Sequence, residues 1–368
     1  MMRIGVPREQ SPGERRVALI PETVGRMVKA GHEVIVEHQA GQAAGYPDEL
    51  YTAAGARLGT AAEALGAQLV FKVQAPGDDE VGRLARDGVL VAFLAPATSG
   101  PLLQRLAAQG VTAFSMELVP RITRAQSMDA LSSQATIAGY KAVLVGAAAL
   151  SRILPMLTTA AGTLPPAKAF VIGAGVAGLQ AIATARRLGA IVSAFDVRPV
   201  VKEQVESLGA SFVEVTEVAA EGQGGYAREL EAEQQQRVLD AIARHIRDQD
   251  LVVTTAQIPG KPAPRLITAD MVRSMRPGSA IVDLAAESGG NCELTRFGET
   301  VDAGGVAVLG PANLPASVPH HASQMYSRNL LTFFQHVVRE GKLVLDLADE
   351  ITGAMCVTSG GDVRYGRS

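Results

Sequence analysis

The stretch Val171-Ile172-Gly173-Ala174-Gly175-Val176-Ala177-Gly178 decides the fold of the second half of the chain. It closes a strand-like apolar run, spaces its glycines as G-x-G-x-x-G, and opens a helix-like segment that extends to about residue 188. In this setting Gly173 permits a tight turn, Gly175 lets a pyrophosphate approach the backbone, and Gly178 brings helix and strand together. The motif therefore predicts a dinucleotide site, with contacts from Gly173, Gly175, Val176 and Gly178.

An acidic residue follows this turn at the distance that dinucleotide sites require. The next strand-like run ends at Asp196, eighteen residues after Gly178, where a carboxylate can accept hydrogen bonds from the adenosine ribose. Its charge repels a 2′-phosphate, so the sequence favours NAD over NADP. Arg198 leaves an alternative open, because a nearby base can accommodate that phosphate; otherwise it is a solvated or pyrophosphate-side charge. Asp196, Val197 and Arg198 are predicted cofactor contacts.

Strand-like and helix-like segments alternate through the second half of the chain. Apolar, β-branched runs lie at residues 170–172, 191–195, 212–215, 251–254, 280–283 and 306–309. Such alternation predicts parallel strands joined by helical crossovers, in the number that a doubly wound nucleotide domain contains.

The first third of the chain alternates in the same way. Strands are predicted at residues 4–6, 33–37, 69–73 and 89–94, and helices at 21–30, 127–150 and 323–338. We expect the last helix to return to the first domain. The predicted fold class is therefore α/β, with two Rossmann-like doubly wound domains. Residues 1–135 with 316–368 form the first, and residues 136–315 form an inserted dinucleotide-binding domain.

Composition excludes several classes of function. A net charge of -3 with interspersed signs offers no basic face for nucleic acid. Cys292 and Cys356 cannot form a disulfide framework, and no His or Cys cluster has metal-ligand spacing, so we predict no metal. The N-terminus lacks an apolar signal region, and the apolar stretch 142–150 is too short to cross a bilayer. A cytoplasmic protein is expected.

Several segments carry a resemblance to a known family. They are Arg16-Val17-Ala18-Leu19-Ile20-Pro21, residues 121–129, the glycine fingerprint, residues 256–264 and Asn313-Leu314-Pro315. Together they resemble the NAD-binding component of the proton-translocating nicotinamide nucleotide transhydrogenases. Some of these segments, notably residues 16–21, 258–260 and 313–315, also look like alanine dehydrogenase, which shares the two-domain fold. These shared motifs do not separate the two families.

Two regions bear on that choice. In alanine dehydrogenases a lysine and a histidine of the first domain handle the amino-acid substrate. This chain keeps Lys72, but residues 89–96, which resemble the stretch carrying the histidine, contain none. Glu287 stands where an aspartate is expected in the second domain. An NAD-dependent amino-acid oxidoreductase of the alanine type is therefore the alternative, and a non-catalytic NAD-sensing module is the third hypothesis.

Residues 121–132 are the second region. Gln126, Asp129 and Ser132 recur every three residues, so on a helix they would lie along one edge. An ordinary helix start capped by Ser127 or Asp129 explains the same pattern. In transhydrogenases the matching arginine, glutamine, aspartate and serine surround the nicotinamide. The resemblance thus assigns Arg121, Gln126, Asp129 and Ser132 to the reactive ring.

A glycine-rich insertion follows the third predicted strand, at residues 221–227. In the resembling family this is a mobile loop that closes on bound nucleotide, which implies Tyr226 as a lid residue and Gly225 as a cofactor contact. A surface connection is the alternative. Gln257, within the motif at 256–264, is a further predicted cofactor contact.

The resemblance also implies a mechanism and partners. The chain would hold NAD(H) and exchange hydride with NADP(H) on a partner subunit, because its sequence has one convincing dinucleotide fingerprint. A separate membrane-spanning subunit would couple this reaction to proton translocation. The chain would then lie on the cytoplasmic face of the inner membrane, attached peripherally through its partners, and form a homodimer.

Overall fold

A computed structural model of the chain describes residues 1–215, 231–258 and 261–366. The chain folds as two compact units, Met1–Gln134 with Pro315–Ser368, and Ala135–Leu314. Within the described residues, no helix is both long and apolar enough to cross a membrane.

The N-terminal segment alternates strands and helices. Its strands are β1 Arg3–Val6, β2 Glu33–Glu37, β3 Arg57–Gly59, β4 Leu69–Phe71, β5 Val89–Ala92 and β6 Thr112–Ser115. Its helices are α1 Pro21–Lys29, α2 Asp48–Ala53, α3 Ala61–Leu65, α4 Asp78–Val81 and α5 Gly100–Ala108. Pro21 begins α1, where its missing N–H costs no hydrogen bond, and α1 buries Val24 and Met27.

The middle of the chain begins with the long helix α6, Ala130–Ala149. The strands that follow are β7 Leu157–Thr159, β8 Gly162–Leu164, β9 Lys168–Ile172, β10 Ile191–Phe195, β11 Ser211–Phe212, β12 Leu251–Thr254, β13 Ala280–Asp283, β14 Thr300–Asp302 and β15 Ala307–Leu309. The helices are α7 Val176–Arg187, α8 Lys202–Ser207, α9 Ala232–Ile246 and α10 Ala269–Arg273.

The C-terminal segment adds further elements to the first unit. They are α11 Pro319–Val337, β16 Val338–Arg339, β17 Lys342–Leu343, α12 Glu350–Met355, β18 Cys356–Ser359 and β19 Asp362–Val363. The sequence predicted α11 but none of the strands, because two- to four-residue strands carry too short a pattern to recognise.

The two large sheets share one topology. In the first unit the order is β19-β18-β6-β5-β4-β1-β2-β3, and in the second it is β11-β10-β9-β12-β13-β15-β14. Read in chain order, each contains the doubly wound arrangement 3-2-1-4-5-6. The predicted α/β fold class, with two Rossmann-like domains, is confirmed by this topology and by the structural matches given below.

Burial explains why the parallel strands are recognisable in the sequence. Every residue of β4, β5, β12 and β13 is buried. Helices cover both faces of a parallel sheet, so its strands are continuously apolar. Edge strand β14 pairs antiparallel with β15, is only partly buried, and was missed for that reason.

Two predicted elements have different bounds in the structure. The strand predicted at 212–215 is β11, Ser211–Phe212; Val213 still donates to the Ala194 carbonyl, but the ladder then ends while Val213 and Val215 pack against the core. The helix predicted at 127–150 is α6, which begins at Ala130 because Asp129 has a non-helical ψ of 88°.

Candidate functional site

The glycine turn joins β9 to α7, and its glycines have distinct roles. Gly173 has a φ of +95°, a conformation that L side chains rarely adopt. A Cβ at Gly178 would lie 1.8 Å from the Gly173 carbonyl oxygen, so helix and turn touch only because no side chain intervenes. A Cβ at Gly175 would meet nothing within 4 Å. Gly175 is thus the glycine that leaves open space at the N-terminus of α7, which begins at Val176.

Asp196 follows the last residue of β10 and holds this turn in place. Its Oδ2 accepts a hydrogen bond of 2.7 Å from the Ala174 N–H. The Arg198 guanidinium donates to both carboxylate oxygens, at 2.9 Å from Nε and 2.7 Å from Nη2. Asp196 is 8% exposed. The acid and the base that the sequence left as competing signals therefore form one ion pair in this structure.

A cavity of about 230 Å³ lies beside Asp196. Its lining residues come from the ends of β10 and β11 and from α8: Phe195, Asp196, Pro199, Lys202, Phe212, Glu214 and Val215. Lys202 and Glu214 form an ion pair on this lining. Val197, a predicted cofactor contact, instead packs against the hydrophobic core. The cavity combines aromatic walls with a carboxylate, which suits a nucleoside.

The loop after β12 contacts the same turn. The Thr255 hydroxyl donates to the Gly173 carbonyl at 3.0 Å. Asn291, which is fully buried, accepts from the Ala256 N–H at 3.0 Å and donates to the Ala256 and Pro264 carbonyls at 2.9 Å each. Gln257 is exposed on this loop. Asn291 thus fixes the segment that carries Gln257.

Asp283 anchors the loop that contains Asn291. Its buried carboxylate accepts hydrogen bonds from Thr254 Oγ1, Ala285 N, Cys292 N and Thr295 Oγ1, at 2.7–3.0 Å. Sequence reasoning singled out neither Thr255, Asp283 nor Asn291 as site residues, because their partners come from separate strands. The predicted contacts Gly225 and Tyr226 lie outside the described residues.

Residues 121–132 do not form one helix. A 3-10 helix spans Thr123–Met128, and α6 begins at Ala130, so the expectation that Gln126, Asp129 and Ser132 lie along one helix edge is wrong. Asp129 separates the two helices and acts as a cap. Its carboxylate accepts from the Ser132 N–H at 2.9 Å and from the Ser132 hydroxyl at 2.6 Å. Gln126 is exposed, as is Arg121.

Lys72 belongs to a buried ionic cluster in the first unit. Its Nζ lies 2.8 Å from Glu80 Oε1 and 3.4 Å from Glu9 Oε2, and its side chain is buried. Burial alone would lower the pKa of Lys72, but the two carboxylates outweigh it and raise that pKa. The ammonium therefore stays charged and is held by residues of the chain itself.

Arg16, in the motif at residues 16–21, is also held internally. Its guanidinium donates to Glu14 at 2.6–2.8 Å and to Gln134 Oε1 at 2.8 Å. Burial would raise the pKa of Glu14, but hydrogen bonds and charge from Arg16 lower it to about 2. Both cations of these motifs are therefore neutralised by carboxylates from residues 9–14 and 80.

Comparison with known proteins identifies the family. Residues 5–138 match the model of the N-terminal domain of alanine dehydrogenase/PNT, and residues 142–366 match its C-terminal domain. The chain is 46% identical to NAD(P) transhydrogenase subunit alpha of Haemophilus influenzae, across 98% of this chain and 71% of that one. It is 49% identical to a shorter NAD(P) transhydrogenase alpha chain of Rhodospirillum rubrum, across 98% of this chain and 97% of that one.

Solved structures agree. The transhydrogenase from Sinorhizobium meliloti superposes with a TM-score of 0.91 at 47% identity, covering 98% of this chain and 99% of that chain. An L-alanine dehydrogenase superposes with a TM-score of 0.83 at 29% identity, covering 99% and 97%. The chain therefore belongs to the alanine dehydrogenase/PNT family and, within it, to the NAD(P) transhydrogenase alpha subunits.

Proposed function

We propose that this chain binds one NAD(H) at the carboxyl ends of β9, β10 and β12 and exchanges hydride between it and NADP(H) on another subunit. The observation that carries the proposal is the unit formed by the glycine turn and Asp196. Gly175 leaves open space at the N-terminus of α7, and the Asp196 carboxylate lies next to that turn. Helix N-termini of this kind bind phosphate through backbone N–H groups and the helix dipole.

The adenosine half of NAD(H) belongs, on this proposal, to the cavity beside Asp196. Its volume of about 230 Å³ and its aromatic walls, Phe195 and Phe212, suit an adenine ring. Asp196 accepts hydrogen bonds from the ribose, and Val197 and Arg198 complete this end. The Arg198 guanidinium, bound to Asp196, leaves less charge to repel a 2′-phosphate, so NAD selectivity depends on both residues.

The nicotinamide half is assigned to the residues that the family resemblance indicated. Arg121, Gln126, Asp129 and Ser132 would orient the ring, Tyr226 would close the site, and Gly225 and Gln257 would contact the cofactor. The Asp129–Ser132 pair supports this assignment, because both polar groups are fixed by the helix cap before any ligand binds.

Hydride transfer between nicotinamides asks little chemistry of the protein. A hydride passes from one C4 atom to the other, so no acid, base or metal is required. The protein must hold the two C4 atoms about 3–3.5 Å apart and exclude water. The NADP(H) would come from a partner subunit, and a separate membrane-spanning subunit would couple transfer to proton translocation. The chain would then attach peripherally to the cytoplasmic face of the inner membrane, as a homodimer.

Two features weigh against amino-acid oxidation. Lys72, the lysine that the alanine dehydrogenase resemblance would assign to the substrate, is buried between Glu9 and Glu80. An amino acid could not use this ammonium without breaking both ion pairs, which costs several kcal/mol for buried charges. Residues 89–96 also lack the histidine that would handle the proton.

Reconstitution tests the proposal. The purified chain should bind NADH more tightly than NADPH. With a membrane preparation of the NADP(H)-binding and membrane-spanning subunits, it should transfer hydride between NADH and an NADP⁺ analogue. Each component alone should be inactive. Alanine-dependent reduction of NAD⁺ by the chain alone would refute the proposal and support the alternative.

A further inference from the structure

The buried face of α11 carries polar side chains that hold loops of the first unit. Ser323 accepts from the Val17 N–H at 3.0 Å, Tyr326 donates to the Lys72 carbonyl at 2.8 Å, and Ser327 accepts from the Ile20 N–H at 3.0 Å. These bonds join α11 to positions more than 250 residues away in sequence. The helix therefore fixes loop backbones and does more than fill the core.

Asn329 lies on the same helix and contacts the segment proposed to hold the nicotinamide. Its Nδ2 donates to the Ser127 carbonyl at 2.9 Å, and its Oδ1 accepts from the Ser133 hydroxyl at 2.8 Å. Asn329 is 8% exposed. Ser127 lies between Gln126 and Asp129, and Ser133 follows Ser132.

One amide group therefore bridges the break in the chain at Asp129. On one side it holds the 3-10 helix Thr123–Met128, and on the other it holds the first turn of α6. Only a side chain that donates and accepts at once can make both bonds, and asparagine has this property at the required length. The relative position of Gln126 and Ser132 depends on this bridge.

We propose that Asn329 is a positioning residue for hydride transfer: it sets the geometry of Gln126, Asp129 and Ser132 without touching the cofactor. This inference rests on the proposed function, because it assumes that these side chains contact the nicotinamide. Transfer between two rings is sensitive to placement, and a shift of 1 Å can lower the rate by about 100-fold. Loss of the bridge should therefore affect the reactive end of the cofactor and spare its adenosine end.

The test compares two ligands and two sites on α11. Asn329→Leu removes both hydrogen bonds with little change in volume, and Ser327→Ala is the matched control, since it removes a bond to a different loop. ADP-ribose, which lacks the nicotinamide, reports on the adenosine end alone. We expect wild type and Ser327→Ala to bind NADH more tightly than ADP-ribose. Asn329→Leu should keep the ADP-ribose Kd, lose most of the advantage of NADH, and transfer hydride at least tenfold more slowly with the partner subunits.

The outcomes separate this inference from the function on which it rests. If Asn329→Leu keeps the wild-type ratio of NADH to ADP-ribose affinity and the wild-type rate, Asn329 has no positioning role, while the proposed function stands. If wild type itself neither distinguishes the two ligands nor transfers hydride, both fail. Asn329→Ser, which removes the amide with less bulk, gives the same measurement if the leucine variant does not fold.

Discussion

Alanine substitutions at Gly175 and Gly178 should separate cofactor binding from stability within one turn. Gly175 has an ordinary φ of -76°, and an added methyl group would face open space. At Gly178 the methyl carbon would lie 1.8 Å from the Gly173 carbonyl oxygen. The first substitution should therefore disturb only a bound ligand, and the second should disturb the fold.

The magnitudes follow from these distances. Gly175→Ala should keep the free energy of unfolding or raise it by up to about 1 kcal/mol, because alanine restricts the unfolded chain. If the methyl group displaces the pyrophosphate, the loss of one hydrogen bond to a charged group, about 1.5–3 kcal/mol, weakens NADH binding about 10- to 150-fold. ADP-ribose should lose affinity by the same factor, because it contains the pyrophosphate.

Gly178→Ala should behave differently. A rigid backbone carbonyl cannot rotate away, so β9 and α7 must separate. Overpacking of this kind costs about 3 kcal/mol. For a domain of this size that loss lowers the Tm by roughly 6–12 °C.

Thermal unfolding without ligand and fluorescence titration with NADH measure both effects. The expected result is a nearly unchanged Tm with weak binding for Gly175→Ala, and a lowered Tm for Gly178→Ala. Wild-type NADH affinity in Gly175→Ala would show that no pyrophosphate lies on this turn. A wild-type Tm in Gly178→Ala would contradict the close approach of helix and strand.

Three further substitutions test charged and polar groups. Asp196→Asn should bring the NADPH Kd closer to the NADH Kd by freeing Arg198 for a 2′-phosphate, whereas Arg198→Leu should widen that gap in parallel titrations; equal ratios would refute the paired role. Glu14→Gln should lower the free energy of unfolding at pH 7 by about 3 kcal/mol, because Arg16 holds the pKa of Glu14 to about 2 against an ordinary 4.5. This contribution is complete above pH 4.5 and is lost as the pH falls towards 2, so denaturant curves of variant and wild type should converge there; a constant difference would contradict it. Asn291→Ala breaks three buried hydrogen bonds and should lower the Tm and expose residues 255–265 to proteolysis; an unchanged cleavage rate would show that Asn291 does not fix this loop.

The sequence by itself determined the class of fold and the position of its dinucleotide motif. Strands buried on both faces are continuously apolar, and the turn at Gly173 and Gly178 requires residues without a Cβ, so both leave local signals. The family motifs added the choice of residues 121–132 and 221–227. Assignment of those residues to the cofactor stays a prediction.

The tertiary structure alone decided how polar groups pair. Asp196 and Arg198, competing signals in the sequence, form one ion pair. Lys72 is held by carboxylates at positions 9 and 80, and Asn329 joins two helices that lie some 200 residues earlier. Short-range patterns fix backbone conformation because it depends on neighbouring residues. A hydrogen bond between distant residues depends on where the whole chain places them, and no local pattern records that.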